Sequence, residues 1–134
     1  MKSKKALPVK EIYLQRAIVE VLNYSGCVVW RTNSGRMAGS YTNKRGITKT
    51  RMVTLGIAGT SDIIGYLKGD ATFIAIEVKI PGREKYVTDL QKQFLDNVND
   101  AGGIAGVATS VEEAQEIIAR FKNSLGECGY KINF

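Results

Sequence analysis

The stretch "SDIIGYLKGDATFIAIEVKIPG", residues 61–82, decides how the chain is read. Residues 61–67 have the β-branched and aromatic make-up of a strand, "KGD" (68–70) reads as a tight turn, and 71–80 is the returning strand. Pro81-Gly82 stops it. In the returning strand Ile74, Ile76, Val78 and Ile80 share one face, while Phe73, Ala75, Glu77 and Lys79 share the other. Two opposite charges therefore sit on a face whose other members are apolar. A buried carboxylate is costly unless a cation or hydrogen bonds compensate it. With the turn centred near residue 69, Asp62 falls opposite about residue 76, within one residue of Glu77. Carboxylates that close repel unless a divalent cation lies between them. Asp62 and Glu77, with a backbone carbonyl such as that of Val78, suit Mg²⁺ or Mn²⁺. Lys79 beside such an ion can hold or polarise an attacking water.

Outward from this hairpin, residues 9–24 repeat Leu14, Ala17, Ile18, Val21 and Leu22 at helical spacing, and Gly26 ends the run. "CVVWR" (27–31) reads as a strand, with Trp30 expected in the core. On the other side, Thr88 and Gln91 form a capping-box pattern that opens a helix ended by Gly102-Gly103. "IAGVAT" (104–109) is a short strand, and Ser110 with Glu113 starts a last helix over roughly 111–122. The order is α-β-β-β-α-β-α, an α/β fold with a mixed sheet, read as a single domain over 1–134.

Residues 32–54 are rich in Gly, Ser, Thr and Asn and carry Arg36, Lys44, Arg45, Lys49 and Arg51 without one acid. They predict a basic flexible loop that contacts nucleic acid. The whole chain agrees, with 19 Lys+Arg against 13 Asp+Glu and a net charge of +6, an excess that attracts polyanions. It has no histidine, which removes His-dependent bases and His-ligated zinc and leaves hydrolysis to carboxylates, lysine and a hard metal ion. Cys27 and Cys128 have no metal-like spacing and read as two reduced thiols. "MKSKKALPVK" lacks the apolar region of a secretory signal and no run is long enough to span a bilayer, so a cytoplasmic location is expected.

Five blocks in order, "EIYLQRAI", "WRTNSG", "GTSDII", "IEVK" and "TDLQKQFLDNVNDAGGIAGVATSVEEA", resemble the VRR-NUC type of the PD-(D/E)xK nucleases, over about residues 10 to 120. Fourteen residues separate Asp62 from Glu77, and Ser61 stands where the family pattern has proline. The resemblance implies a restriction-endonuclease-like core in which Asp62 and Glu77 ligate the metal and Lys79 serves the nucleophile. It also implies that Gln91 and a first-helix glutamate complete the site. Glu11 lies about 70° from the centre of the apolar stripe and Glu20 about 110°, which favours Glu11. Gln91 is equally explained as the partner of a Thr88 cap. Arg31, Asn33 and Ser34 are candidate phosphate contacts, although "NSG" also suits a plain turn. Arg83 and Lys85 follow the active strand and are further candidates. The expected function is a Mg²⁺- or Mn²⁺-dependent DNA endonuclease, similar to Holliday-junction resolvases, acting on branched DNA as a homodimer. The rivals are a nickase or duplex endonuclease without junction preference, and a non-catalytic nucleic-acid-binding module.

Overall fold

A computed structural model describes residues 10–33 and 35–127. Helix α1 (Glu11–Tyr24) leads into strand β1 (Cys27–Arg31). A ribbon of β2 (Gly35–Thr42) and β3 (Thr48–Leu55) precedes the hairpin of β4 (Ile63–Leu67) and β5 (Phe73–Val78). Helix α2 (Asp89–Asp100), strand β6 (Ile104–Ala108) and helix α3 (Val111–Glu127) complete the chain. Four strands make one mixed sheet in the order β1-β4-β5-β6. The pairs β1–β4 and β4–β5 are antiparallel, and β5–β6 is parallel. A parallel neighbour requires a crossover, and α2 supplies it.

Alternation along the strands creates the two faces. Ile63, Leu67, Ile74, Ile76, Val78 and Ile104 turn towards α1 and α3, where Ile18, Leu22, Ala114 and Ile118 close the core. Each fully buried aliphatic side chain contributes about 1.5–3 kcal/mol, so this layer holds the sheet rigid. Gly65 permits its tightest approach, since a β-carbon there would overlap the Val28 carbonyl of β1. Asn23 ties the end of α1 to β1 by bonding both the amide and the carbonyl of Val29, at 2.8 and 3.0 Å. On the opposite face α2 packs mainly over β5 and β6. Ala75 and Glu77 are buried beneath it, while Tyr66, Phe73 and Trp30 stay partly open.

Three expectations need correction. The segment 32–54 is no structureless loop, because 35–42 and 48–55 pair over eight residues each in an antiparallel ribbon. Its backbone groups satisfy one another, so it needs no apolar alternation to form. Trp30 is 48% exposed, because it sits on the sheet face that α2 leaves uncovered. The last helix runs on to Glu127 rather than ending near 122. Among the described residues no helix is long and apolar enough to cross a membrane. Cys27 is a buried free thiol, while Cys128 lies outside the described residues.

Candidate active site

The β4–β5 register pairs Ile63 with Ile76, so Asp62, one residue before β4, lies level with Glu77. The Asp62 carboxylate accepts the Val78 amide through Oδ2 at 2.9 Å, which extends the hairpin by a side chain where its backbone ladder ends. Thr32, just past β1, holds the same corner from the other side. Its amide donates to the Asp62 carbonyl at 2.9 Å and its hydroxyl to the Ser61 carbonyl at 2.9 Å. Ser61, where the pattern has proline, is buried and its hydroxyl donates to the Ile63 carbonyl at 3.0 Å. The bend before the strand is thus held by side-chain hydrogen bonds instead of a ring.

Glu77 is only 1% exposed, yet it is not neutralised by an intimate partner. Its Oε1 accepts from Gln91 Nε2 at 2.9 Å and lies 3.6 Å from the Lys79 ammonium. Its Oε2 is buried with no hydrogen-bond partner. Burial first, and the Asp62 charge second, push the Glu77 carboxyl up to about 8, with Lys79 only partly offsetting them. Lys79 continues the strand line, donating its amide to the Ala108 carbonyl at 3.1 Å, and its side chain is 16% exposed. Glu11, in the first turn of α1, is raised mainly by burial and feels Lys79, then Asp62, then Arg83. Glu11 and Arg83 therefore border the cluster, while Glu20 is exposed.

Gln91 does both jobs that its position suggested. Its amide donates to Thr88 Oγ1 at 3.2 Å and its Oε1 accepts from the Thr88 amide at 2.9 Å, a complete capping box. Its remaining NH₂ is the group that reaches Glu77. The cap consequently aims the side chain. Thr88→Ala is expected to lower stability by about 1 kcal/mol in urea unfolding, the usual cost of a lost cap.

Arg31 Nε donates to Gln15 Oε1 at 2.8 Å, so it is engaged with α1. Gln15 was not anticipated; its one signal is a polar residue inside the apolar stripe between Leu14 and Ile18. Asn33 is exposed with φ of +48°, as befits a turn. Ser34 lies outside the described residues, as does the side chain of Arg36. Arg83 and Lys85 both lie over the Tyr86 ring, at 5.7 and 5.3 Å from its centre. Lys44, Arg45, Lys49 and Arg51 are exposed on the ribbon. An apolar cleft of about 540 Å³ between α2 and the sheet edge, lined by Ile57, Phe73, Phe94 and Val98 among others, has no charged lining and is separate from the acidic cluster.

A carboxylate pair at the mouth of a β-hairpin, with a lysine two residues on, is the arrangement that the PD-(D/E)xK resemblance led one to expect. The VRR-NUC domain profile matches residues 10–112, and the chain belongs to that family. A search of curated proteins finds no match to the chain. The matched span runs from α1 to the start of α3 and includes every member of the cluster. The family makes this a nuclease domain with DNA as substrate, and it implies a divalent cation in general. Among the described residues no three His, Cys, Asp or Glu side chains form a ready-made cation cage. Two carboxylates do fit a hard cation that completes its shell from carbonyl, water and phosphate oxygens. The unpartnered Oε2 of Glu77 is the atom such an ion would satisfy.

Proposed function

We propose that the chain is a divalent-cation-dependent DNA endonuclease that selects branched duplexes such as four-way junctions. It acts as a single-domain subunit of a cytoplasmic homodimer. The observation that carries the reading is the buried, unpartnered Glu77 Oε2 level with Asp62. A structural ion pair would have satisfied that oxygen.

Asp62 and Glu77 hold the cation, Mg²⁺ or Mn²⁺, and the Val78 carbonyl adds a third oxygen. Once bound, such an ion stabilises charge on the scissile phosphate and lowers the pKa of water. Gln91 fixes one oxygen of Glu77 and leaves the other for this task. Lys79, beside Glu77 and largely screened from solvent, holds the attacking water against the phosphorus. Glu11 orients the Lys79 ammonium through its opposite charge. Arg83, Lys85, Arg31 and Asn33 face the sugar–phosphate backbone, which carries position and shape rather than base sequence. Junction cutting severs two opposed strands, and two sites related by a two-fold axis do this in a homodimer.

The test is a panel of four-way junction, flap and linear duplex, each with Mg²⁺, Mn²⁺ or EDTA. The expected result is metal-dependent incision of the junction at least about tenfold faster than the linear duplex, a difference of about 1.4 kcal/mol in barrier. Equal rates on junction and duplex would establish the nickase or duplex endonuclease. Binding without any incision would establish the non-catalytic module.

A further inference from the structure

The β2–β3 ribbon is the largest part of the chain that the hydrolytic cluster does not use. Among the described residues no other element packs on it to more than a marginal extent. From Ser40 to Arg51 every residue but Asn43 is exposed. An isolated two-stranded ribbon is marginal in water, and the described side chains of this one offer a partner open surface.

Its register sorts the side chains. Lys49 and Arg51 lie on one face, opposite Tyr41 and Gly39 respectively. Ser40, Thr42, Thr48 and Thr50 lie on the other, where the Thr42 and Thr48 hydroxyls meet at 3.1 Å. Among the described side chains, one face is thus cationic and the other lined with hydroxyls. Lys44 and Arg45 sit in the turn, which Asn43 closes by accepting the amides of Arg45 and Ile47, each at 3.0 Å. Both ends of the ribbon are rooted at the acidic cluster. Its first strand follows Thr32, which is bonded to the Asp62 carbonyl, and its second ends at Leu55, seven residues before Asp62.

Eight residues of strand reach about 26 Å, and the major groove of B-DNA, about 12 Å wide, admits a two-stranded ribbon. We propose that the β2–β3 ribbon is a duplex-DNA-binding arm that lies in the groove beside the cleavage site, with the Lys49–Arg51 face carrying its phosphate contacts. The inference rests on the nuclease reading and adds how the duplex is gripped. Single-stranded DNA is the less favoured ligand, because strand-tracking grooves stack successive bases on several aromatics. The cationic face offers Tyr41 alone among its described side chains.

The test measures binding of the full chain to a short duplex and to a single strand of the same length in EDTA, by fluorescence anisotropy across a salt series. The double variant Lys49→Ala/Arg51→Ala is compared with Thr48→Val/Thr50→Val on the opposite face, both checked for an unchanged fold by circular dichroism. Loss of two phosphate contacts is expected to weaken binding on the order of tenfold and to flatten the salt slope by about 1.8. The threonine pair is expected to leave both quantities unchanged. Wild-type affinity and slope in the lysine–arginine variant would overturn the proposal, as would equal losses from both faces or a loss confined to single strands. Wild-type protein that binds through this face but never cuts would sink the nuclease reading and leave the arm standing. Cutting with no contribution from Lys49 and Arg51 would do the reverse.

Discussion

Glu77→Gln is expected to lower DNA cleavage on the order of 10³-fold or more while making the metal-free protein more stable at pH 8. The two effects have one origin. Glu77 is buried beside Asp62 with one oxygen unpartnered, and its carboxyl is pushed up to about 8 from an ordinary 4.5. A group whose pKa is raised on folding contributes its full stability below the unfolded value and loses it as pH rises through the folded value. The metal-free wild type should therefore lose stability steadily between about pH 4.5 and about 8, at up to about 1.4 kcal/mol per pH unit. Glutamine keeps the shape, still accepts from Gln91, and turns an NH₂ towards the Asp62 carboxylate. Its melting temperature should be flat across the same window. Mn²⁺ should restore the wild type at pH 8 by binding the folded state alone and should do little for the variant. Thermal melts at several pH values, with EDTA or Mn²⁺, and single-turnover cleavage measure all of this. Wild-type cutting by Glu77→Gln would remove the carboxylate from the site. A wild-type melting temperature that rises with pH would mean that the buried charge is not what strains the metal-free fold.

How much of this was legible in the sequence depended on what drives each element. The β4–β5 hairpin was legible because its burial alternates with period two and its turn is nearly symmetric. A centre placed at residue 69 differs by half a residue from the observed pairing of Ile63 with Ile76, and that sufficed to bring Asp62 to Glu77. The capping box at Thr88 was legible because it is a local chemical pattern. The β2–β3 ribbon was not, since its described side chains from Ser40 to Arg51 bury no face and hydrophobic periodicity says nothing about them. Trp30 was misjudged for a related reason. Alternation says that it opposes Val29, but which half of the sheet α2 covers is a tertiary fact. Arg31 was read as a candidate phosphate contact, while its bond to Gln15 depended on the packing of α1 against β1.

Gly59→Ala links the fold to the chemistry and is expected to damage both. Gly59 lies in the segment between the ribbon and Asp62, with φ of +84°, and a β-carbon on it would overlap the Leu90 carbonyl and press on the Gln91 amide. Two penalties add. A left-handed backbone costs an L residue about 1–2 kcal/mol, and the first turn of α2 must move to relieve the overlap. That turn carries Gln91, whose bond to Glu77 spans 2.9 Å. A loss of about 2–4 kcal/mol in urea unfolding is expected, near the upper end for single substitutions. Well below the melting temperature, activity should still fall by about 10²-fold, the cost of misplacing a reacting group by about 1 Å. If the second effect passes through Gln91, adding Gln91→Ala to Gly59→Ala should lower activity little further, whereas independent effects would multiply. A variant that melts early yet cuts at the wild-type rate would show that the close approach of Gly59 holds α2 to the sheet without aiming Gln91.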